Sequence, residues 1–135
     1  MDGPCFGGGV ELISCFDYVI TTAGSLFGLW QRRVGLTFGW GGEERLVRRL
    51  GQGNVNRWLI SGETVSAYRA LEVGLVDKIC LKSSAQKEAN LFIAKALRYG
   101  IENFSLIKTS EASQAENFSK LWLEGRHREI LEKFK

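Results

Sequence analysis

The chain has 135 residues, 44% of them apolar and 24% charged, which is the composition of an ordinary globular domain. Its net charge of +3 comes from basic residues interspersed with acidic ones, so the charge pattern does not predict a nucleic-acid-binding protein. No apolar run approaches the roughly 18 residues of a membrane span, and we therefore expect neither nucleic acid nor a membrane as a partner.

Residues 1–82 alternate between strand and helix patterns. A glycine triplet at residues 7–9 predicts the start of a short helix over residues 10–16, and the β-branched and aromatic residues 18–22 predict a buried strand. The glycine loop at residues 39–42 precedes a predicted helix that ends at Gly51. Further along, the patterns predict a helix over residues 55–60, a helix capped by Ser66 and a strand over residues 76–81.

Beyond residue 82 glycines are few and the pattern is helical. Ser83 and Gln86 have capping-box spacing before a helix that ends near residue 98. Two more helices are predicted, one over residues 110–125 and one over residues 127–134. Strands that alternate with helices and precede a helical region predict an α/β fold.

The cysteines indicate a reducing compartment. Cys5, Cys15 and Cys80 share no CxxC spacing and cannot all pair, so they predict neither a disulfide framework nor a zinc site. We accordingly expect a cytoplasmic protein without a bound metal ion.

The glycine triplet predicts a site for an anion or an oxyanion. Without Cβ atoms the backbone can approach a ligand closely, and the first N–H groups of the following helix are unpaired at its positive end. The sequence has neither the GxGxxG fingerprint of dinucleotide-binding proteins nor the Lys-Ser/Thr pair of a P-loop. Glu11 stands there instead, which favours an oxyanion beside a catalytic carboxyl group, with a simple helix-capping role for Glu11 as the alternative.

The stretch from Gly3 to Leu12, Gly-Pro-Cys-Phe-Gly-Gly-Gly-Val-Glu-Leu, resembles the crotonase motif, and Asp17 follows at the family's position. Further matches follow without a gap: Phe27-Gly28, Gly35, Gly39-Trp40-Gly41-Gly42, Arg45-Leu46, Ser61-Gly62, Ala67, Ala70 and Gly74-Leu75-Val76. Because so many motifs keep the family's spacing over residues 2–79, the chain is identified as a member of the crotonase superfamily.

The resemblance implies a partial crotonase (ClpP/crotonase-like) fold of ββα turns followed by a C-terminal helical region. Residues 1–82 would be the C-terminal part of the crotonase core, and residues 83–135 would be a helical oligomerisation region. We expect a homo-oligomer, a trimer or a dimer of trimers. The implied activity is that of a lyase of the enoyl-CoA hydratase/isomerase type in fatty acid metabolism, acting on acyl-CoA thioesters. Coenzyme A would be part of the substrate, so no separate cofactor is expected.

The resemblance also implies roles for individual residues. Gly8 corresponds to the residue whose N–H helps to hold the thioester oxygen, and Glu11 corresponds to one of two catalytic glutamates. Phe6 and Trp30 are assigned to substrate binding. Lys133 and Phe134 resemble a basic and aromatic end that contacts CoA, with a solvated helix tail as the alternative.

One departure changes the expected chemistry: Gln31 stands where the second hydratase glutamate is found, and Trp30 replaces the preceding proline. A glutamine can orient a group but cannot exchange protons near neutral pH. A reaction with a single acid, such as decarboxylation of a malonyl-type CoA thioester, is therefore an alternative. The family's second oxyanion donor comes from a preceding segment that this chain lacks, so a non-catalytic or truncated subunit is another.

Overall fold

The computed structural model describes residues 1–98, 111–123 and 125–133. The chain divides into two compact units, residues 1–89 and residues 90–135. The first unit contains strands and helices, as the predicted α/β class requires, and the second is helical where it is described.

The strands of the first unit are short: β1 (Pro4–Phe6), β2 (Ile20–Thr21), β3 (Leu26–Gly28), β4 (Val65–Ser66) and β5 (Lys78–Ile79). Strand β3 is central in one sheet, where it pairs with β1 in parallel and with β4 antiparallel. Strands β2 and β5 pair in parallel as a second sheet. They are shorter than the predicted strands at residues 18–22 and 76–81. The pattern missed the strand character of β1, β3 and β4, because two or three residues are too few to display a periodicity.

The helices of the first unit are α1 (Gly8–Ile13), α2 (Gly42–Leu50), α3 (Gln52–Ser61), α4 (Ala67–Glu72) and α5 (Ala85–Leu97), the last of which runs past residue 89. The predicted cap is confirmed: the Ser66 hydroxyl oxygen accepts a hydrogen bond from the Arg69 N–H at 3.3 Å. Helix α1 ends three residues before the predicted Phe16. A 3₁₀ turn at Gln31–Val34, which the sequence did not predict, follows β3 closely.

The core of the first unit joins the central sheet to the helices that carry the conserved-spacing motifs. Phe27 of β3, Leu46 of α2 and Trp58 of α3 are fully buried, and Val10 of α1 lies in the same cluster. Burying side chains of this size contributes about 1.5–3 kcal/mol each. Helices α1 and α2 are therefore held against one core, which places the glycine triplet and the glycine loop close to each other.

The described part of the second unit contains two predicted helices, α6 (Glu111–Leu123) and α7 (Gly125–Glu132). Trp122 lies against Phe118 and against His127, with ring centroids 5.5 and 4.8 Å apart. Among the described residues no helix has the length and apolar character needed to span a membrane. The assignment of this region to oligomerisation stays a prediction.

Candidate functional site

The glycine triplet forms the turn between β1 and α1. Gly7 is the N-cap of α1, with φ 54°, and its N–H donates a hydrogen bond to the Gly28 carbonyl at 2.9 Å. The Gly7 carbonyl accepts bonds from the N–H groups of Val10 and Glu11 at 3.0 and 3.3 Å. The N–H groups of Gly8 and Gly9 donate to no other described residue. The predicted helix start is thus present, with two free donors at its positive end.

The indole of Trp40 lies directly against Gly8. A Cβ atom added to Gly8 would come within 2.9 Å of Cζ3 and 3.0 Å of Cη2 of the Trp40 ring, which is closer than real carbon contacts allow. Glycine at this position therefore permits the contact. The ring itself remains 67% exposed, so its other side faces solvent.

Glu11 lies behind this turn, only 2% exposed, with both carboxylate oxygens occupied. Its Oε1 accepts hydrogen bonds from Gln31 Nε2 at 2.9 Å and from the Gly39 N–H at 3.4 Å. Its Oε2 accepts bonds from the N–H groups of Trp40 at 3.0 Å and Gly42 at 3.1 Å. The side chain of α1 thus organises the glycine loop and caps the first turn of α2.

Gly42 makes this arrangement possible. A Cβ atom on Gly42 would lie 2.5 Å from Cγ of Glu11, so a larger residue would push the carboxylate away from the start of α2. In its observed position the carboxylate lies at the positive end of α2, where an anion is stabilised by free N–H groups and the helix dipole.

The hydrogen bonds decide the charge of Glu11. Burial by itself raises the pKa of the carboxyl group, but the donors from Gln31, Trp40, Gly42 and Gly39 together outweigh burial and hold the pKa below its usual value of 4.5. Glu11 is therefore a carboxylate at neutral pH, able to act as a base or an anchor and poorly suited to donate a proton.

Gln31 is buried at the first position of the 3₁₀ turn, 6% exposed, so the alternative of a surface amide is wrong. Because a carboxylate only accepts hydrogen bonds, the amide nitrogen of Gln31 is the atom that faces Glu11. Its carbonyl oxygen is buried and has no donor among the described residues. The structure therefore brings Gln31 and Glu11 together and leaves one buried acceptor available.

Phe6 and Trp30 stack on each other, with ring centroids 3.7 Å apart and planes 7° from parallel. The guanidinium carbon of Arg33 lies 4.2 Å from the centre of the Trp30 ring. The indole nitrogen of Trp30 is buried without an acceptor among the described residues. The two predicted substrate-binding aromatics thus form one wall beside Gly7, backed by a cation that the sequence analysis missed although it follows Trp30 by three residues.

The remaining predicted residues lie elsewhere. Lys133 is exposed in the turn after α7, and Phe134 lies outside the described residues. No cluster of three or more possible metal ligands occurs in the described part of the chain. Sequence analysis also missed Trp40 as a site residue, although the glycines on both sides of it indicated a close backbone approach.

Comparison with known proteins gives a consistent result. The enoyl-CoA hydratase/isomerase family model matches residues 1–131. Over 97 residues the chain is 36% identical to the fatty acid oxidation complex subunit alpha of Pseudomonas syringae pv. tomato, covering 72% of the chain and 14% of that protein. Over 100 residues it is 31% identical to the crotonyl-CoA hydratase of Syntrophomonas wolfei, covering 74% of the chain and 38% of that protein.

A solved structure shows the same fold. The crystal structure of an enoyl-CoA hydratase/isomerase family protein from Hyphomonas neptunium matches 97% of the chain with a TM-score of 0.77 and 25% identity. The match covers 56% of that protein, so the chain spans little more than half of it and less of the two sequence relatives. The predicted crotonase-like fold is confirmed.

Proposed function

Because the chain belongs to the enoyl-CoA hydratase/isomerase family, we propose that it supplies an oxyanion-binding turn and a carboxylate base to a site that processes acyl-CoA thioesters. One observation carries the proposal. The free N–H groups of Gly8 and Gly9 lie one helical turn from the ionised Glu11, and Gln31 donates to that carboxylate at 2.9 Å.

The Gly8 N–H would bind the thioester oxygen, where negative charge develops when the carbon next to the carbonyl loses a proton. The base would be Glu11. Its Oε1 is the oxygen better placed to accept a proton, because one of its two donors, the Gly39 N–H, is distant at 3.4 Å. Gln31 cannot exchange protons, so its role would be to orient Glu11.

A single carboxylate base supports movement of a double bond better than it supports hydration. In the isomerisation of a 3-enoyl-CoA, Glu11 would remove a proton from C2, the enolate would be held at its oxygen, and the same proton would return at C4. Hydration needs a base for water and an acid for C2, and decarboxylation needs an acid for the enolate. The lowered pKa of Glu11 favours neither acid role.

A second candidate, a non-catalytic subunit, is favoured by one specific observation. The carboxylate of Glu11 is 2% exposed and already accepts four hydrogen bonds, which is the pattern of a structural anchor for the loop at residues 39–42. In this case Glu11 would stabilise the fold without touching a substrate.

The experiment is a comparison of Glu11→Gln with the wild type in isomerisation of a 3-enoyl-CoA and in thermal unfolding. If Glu11 is the base, turnover falls by roughly 100-fold or more. Glu44→Gln is the matched control, since that side chain is 89% exposed and pairs only with Arg48 on the surface of α2. A wild type that converts no acyl-CoA while Glu11→Gln loses stability would support the structural role instead.

The assembly and its location are part of the same proposal. The family resemblance supports a homo-oligomer built through residues 83–135, and the cysteine pattern supports a cytoplasmic location. Lys133, which is exposed, and Phe134 would contact CoA. Phe6 and Trp30 would line the substrate site with their stacked rings.

A further inference from the structure

Trp40 contacts both groups to which the proposed reaction assigns a role. Its N–H donates to Oε2 of Glu11 at 3.0 Å, and its ring lies against Gly8. Its carbonyl oxygen accepts a hydrogen bond from Nη2 of Arg45 at 3.1 Å, and Nε of the same arginine donates to the Ser14 hydroxyl at 3.1 Å. The main chain of Trp40 is therefore held on both sides, which fixes the origin of the indole.

The position of the ring follows from these contacts. A thioester whose oxygen reaches the Gly8 N–H, and whose C2 reaches Glu11, must place the first carbons of its acyl group beside both residues. The indole occupies the surface of Gly8 and is 67% exposed on its other side. An acyl chain leaving this site therefore meets the ring within its first few carbons.

We infer that Trp40 determines the acyl specificity of this site by limiting the length of the acyl group that fits, so that short-chain CoA thioesters are preferred. The inference rests on the proposed function, since it requires acyl-CoA to bind at Gly8 and Glu11. Each methylene group that cannot be buried weakens binding by about fourfold, the equivalent of about 0.8 kcal/mol. Several excluded methylenes are enough to separate short from long chains.

The structure allows a selective test, because both hydrogen bonds of Trp40 use main-chain atoms that any substitution retains. Trp40→Ala removes the ring, and Trp40→Phe keeps a smaller one. Trp122→Ala is the matched control, as it removes an indole of similar exposure, 55%, from α6. Calorimetry measures the affinities of the purified wild type and the variants for butanoyl-CoA and decanoyl-CoA.

The wild type is expected to bind butanoyl-CoA more tightly. The decanoyl-to-butanoyl affinity ratio is expected to rise at least 10-fold in Trp40→Ala, to rise less in Trp40→Phe and to stay constant in Trp122→Ala. An unchanged ratio in both Trp40 variants, or a ratio that falls, would overturn the inference and leave the proposed function standing. Absence of binding of either thioester to the wild type would overturn the proposed function, and the inference with it. If Trp40→Ala does not fold, the ratio in Trp40→Phe decides.

Discussion

Gln31→Glu tests the geometry of the site most directly. It places a second carboxyl group where an amide nitrogen now lies 2.9 Å from Oε1 of Glu11. Two negative charges at this distance repel each other by about 6 kcal/mol at an effective dielectric constant of 20. The pair avoids this repulsion by keeping one proton, which also restores the hydrogen bond that the amide supplied.

The retained proton predicts the pH dependence of folding. The shared carboxyl group has a folded pKa raised above its unfolded value of about 4.3, so its contribution to stability is present below that pH and is lost as the pH rises. Because the folded variant binds one more proton than the unfolded chain, its free energy of unfolding should fall by about 1.4 kcal/mol per pH unit above 4.3, until the folded pKa is reached. The wild type lacks this slope.

Urea unfolding between pH 5 and 8 measures the slope, with Gln52→Glu as a control at an exposed glutamine at the start of α3. The same preparations are assayed for hydration of crotonyl-CoA and for decarboxylation of a malonyl-type CoA thioester. The rate ratio should shift toward hydration in Gln31→Glu, because a proton donor and a base are then both present. No slope would show that residues 11 and 31 are not neighbours. A wild type that already hydrates crotonyl-CoA well, with an unchanged ratio in the variant, would refute the single-carboxylate interpretation.

Two further predictions concern Glu11 and Gly8. The pKa of Glu11 is lowered in the folded state, so its stabilising effect is present above pH 4.5 and is lost as the pH falls through the folded pKa; urea midpoints from pH 3 to 7 should show this loss in the wild type, whereas equal profiles in Glu11→Gln would contradict it. Gly8→Ala should move the exposed Trp40 ring, changing stability by no more than about 1 kcal/mol while lowering acyl-CoA affinity in calorimetry. Gly53→Ala, where the added methyl group meets no atom within 4 Å, is its control, and equal affinities in the two variants would count against the predicted site.

The sequence alone was sufficient for the features that local patterns encode. The glycine triplet predicted the helix start at Gly8, because only the spacing of glycines before an apolar helix was needed. Helices α2 to α7 followed from apolar periodicity and stop signals, and the family followed from motifs at fixed intervals. The strands were the weakest part, since elements of two or three residues depend on their partners for existence and carry almost no pattern of their own.

Only the tertiary structure decided what the site residues are able to do. Sequence spacing placed Gln31 at the position of an acid, but its hydrogen bond to Glu11 joins residues 20 apart in the chain. The bonds that ionise Glu11 come from the main chain of Gly39, Trp40 and Gly42, 28 to 31 residues away. Charge state depends on donors gathered from separate segments by packing, and a linear pattern records neither their distances nor their directions.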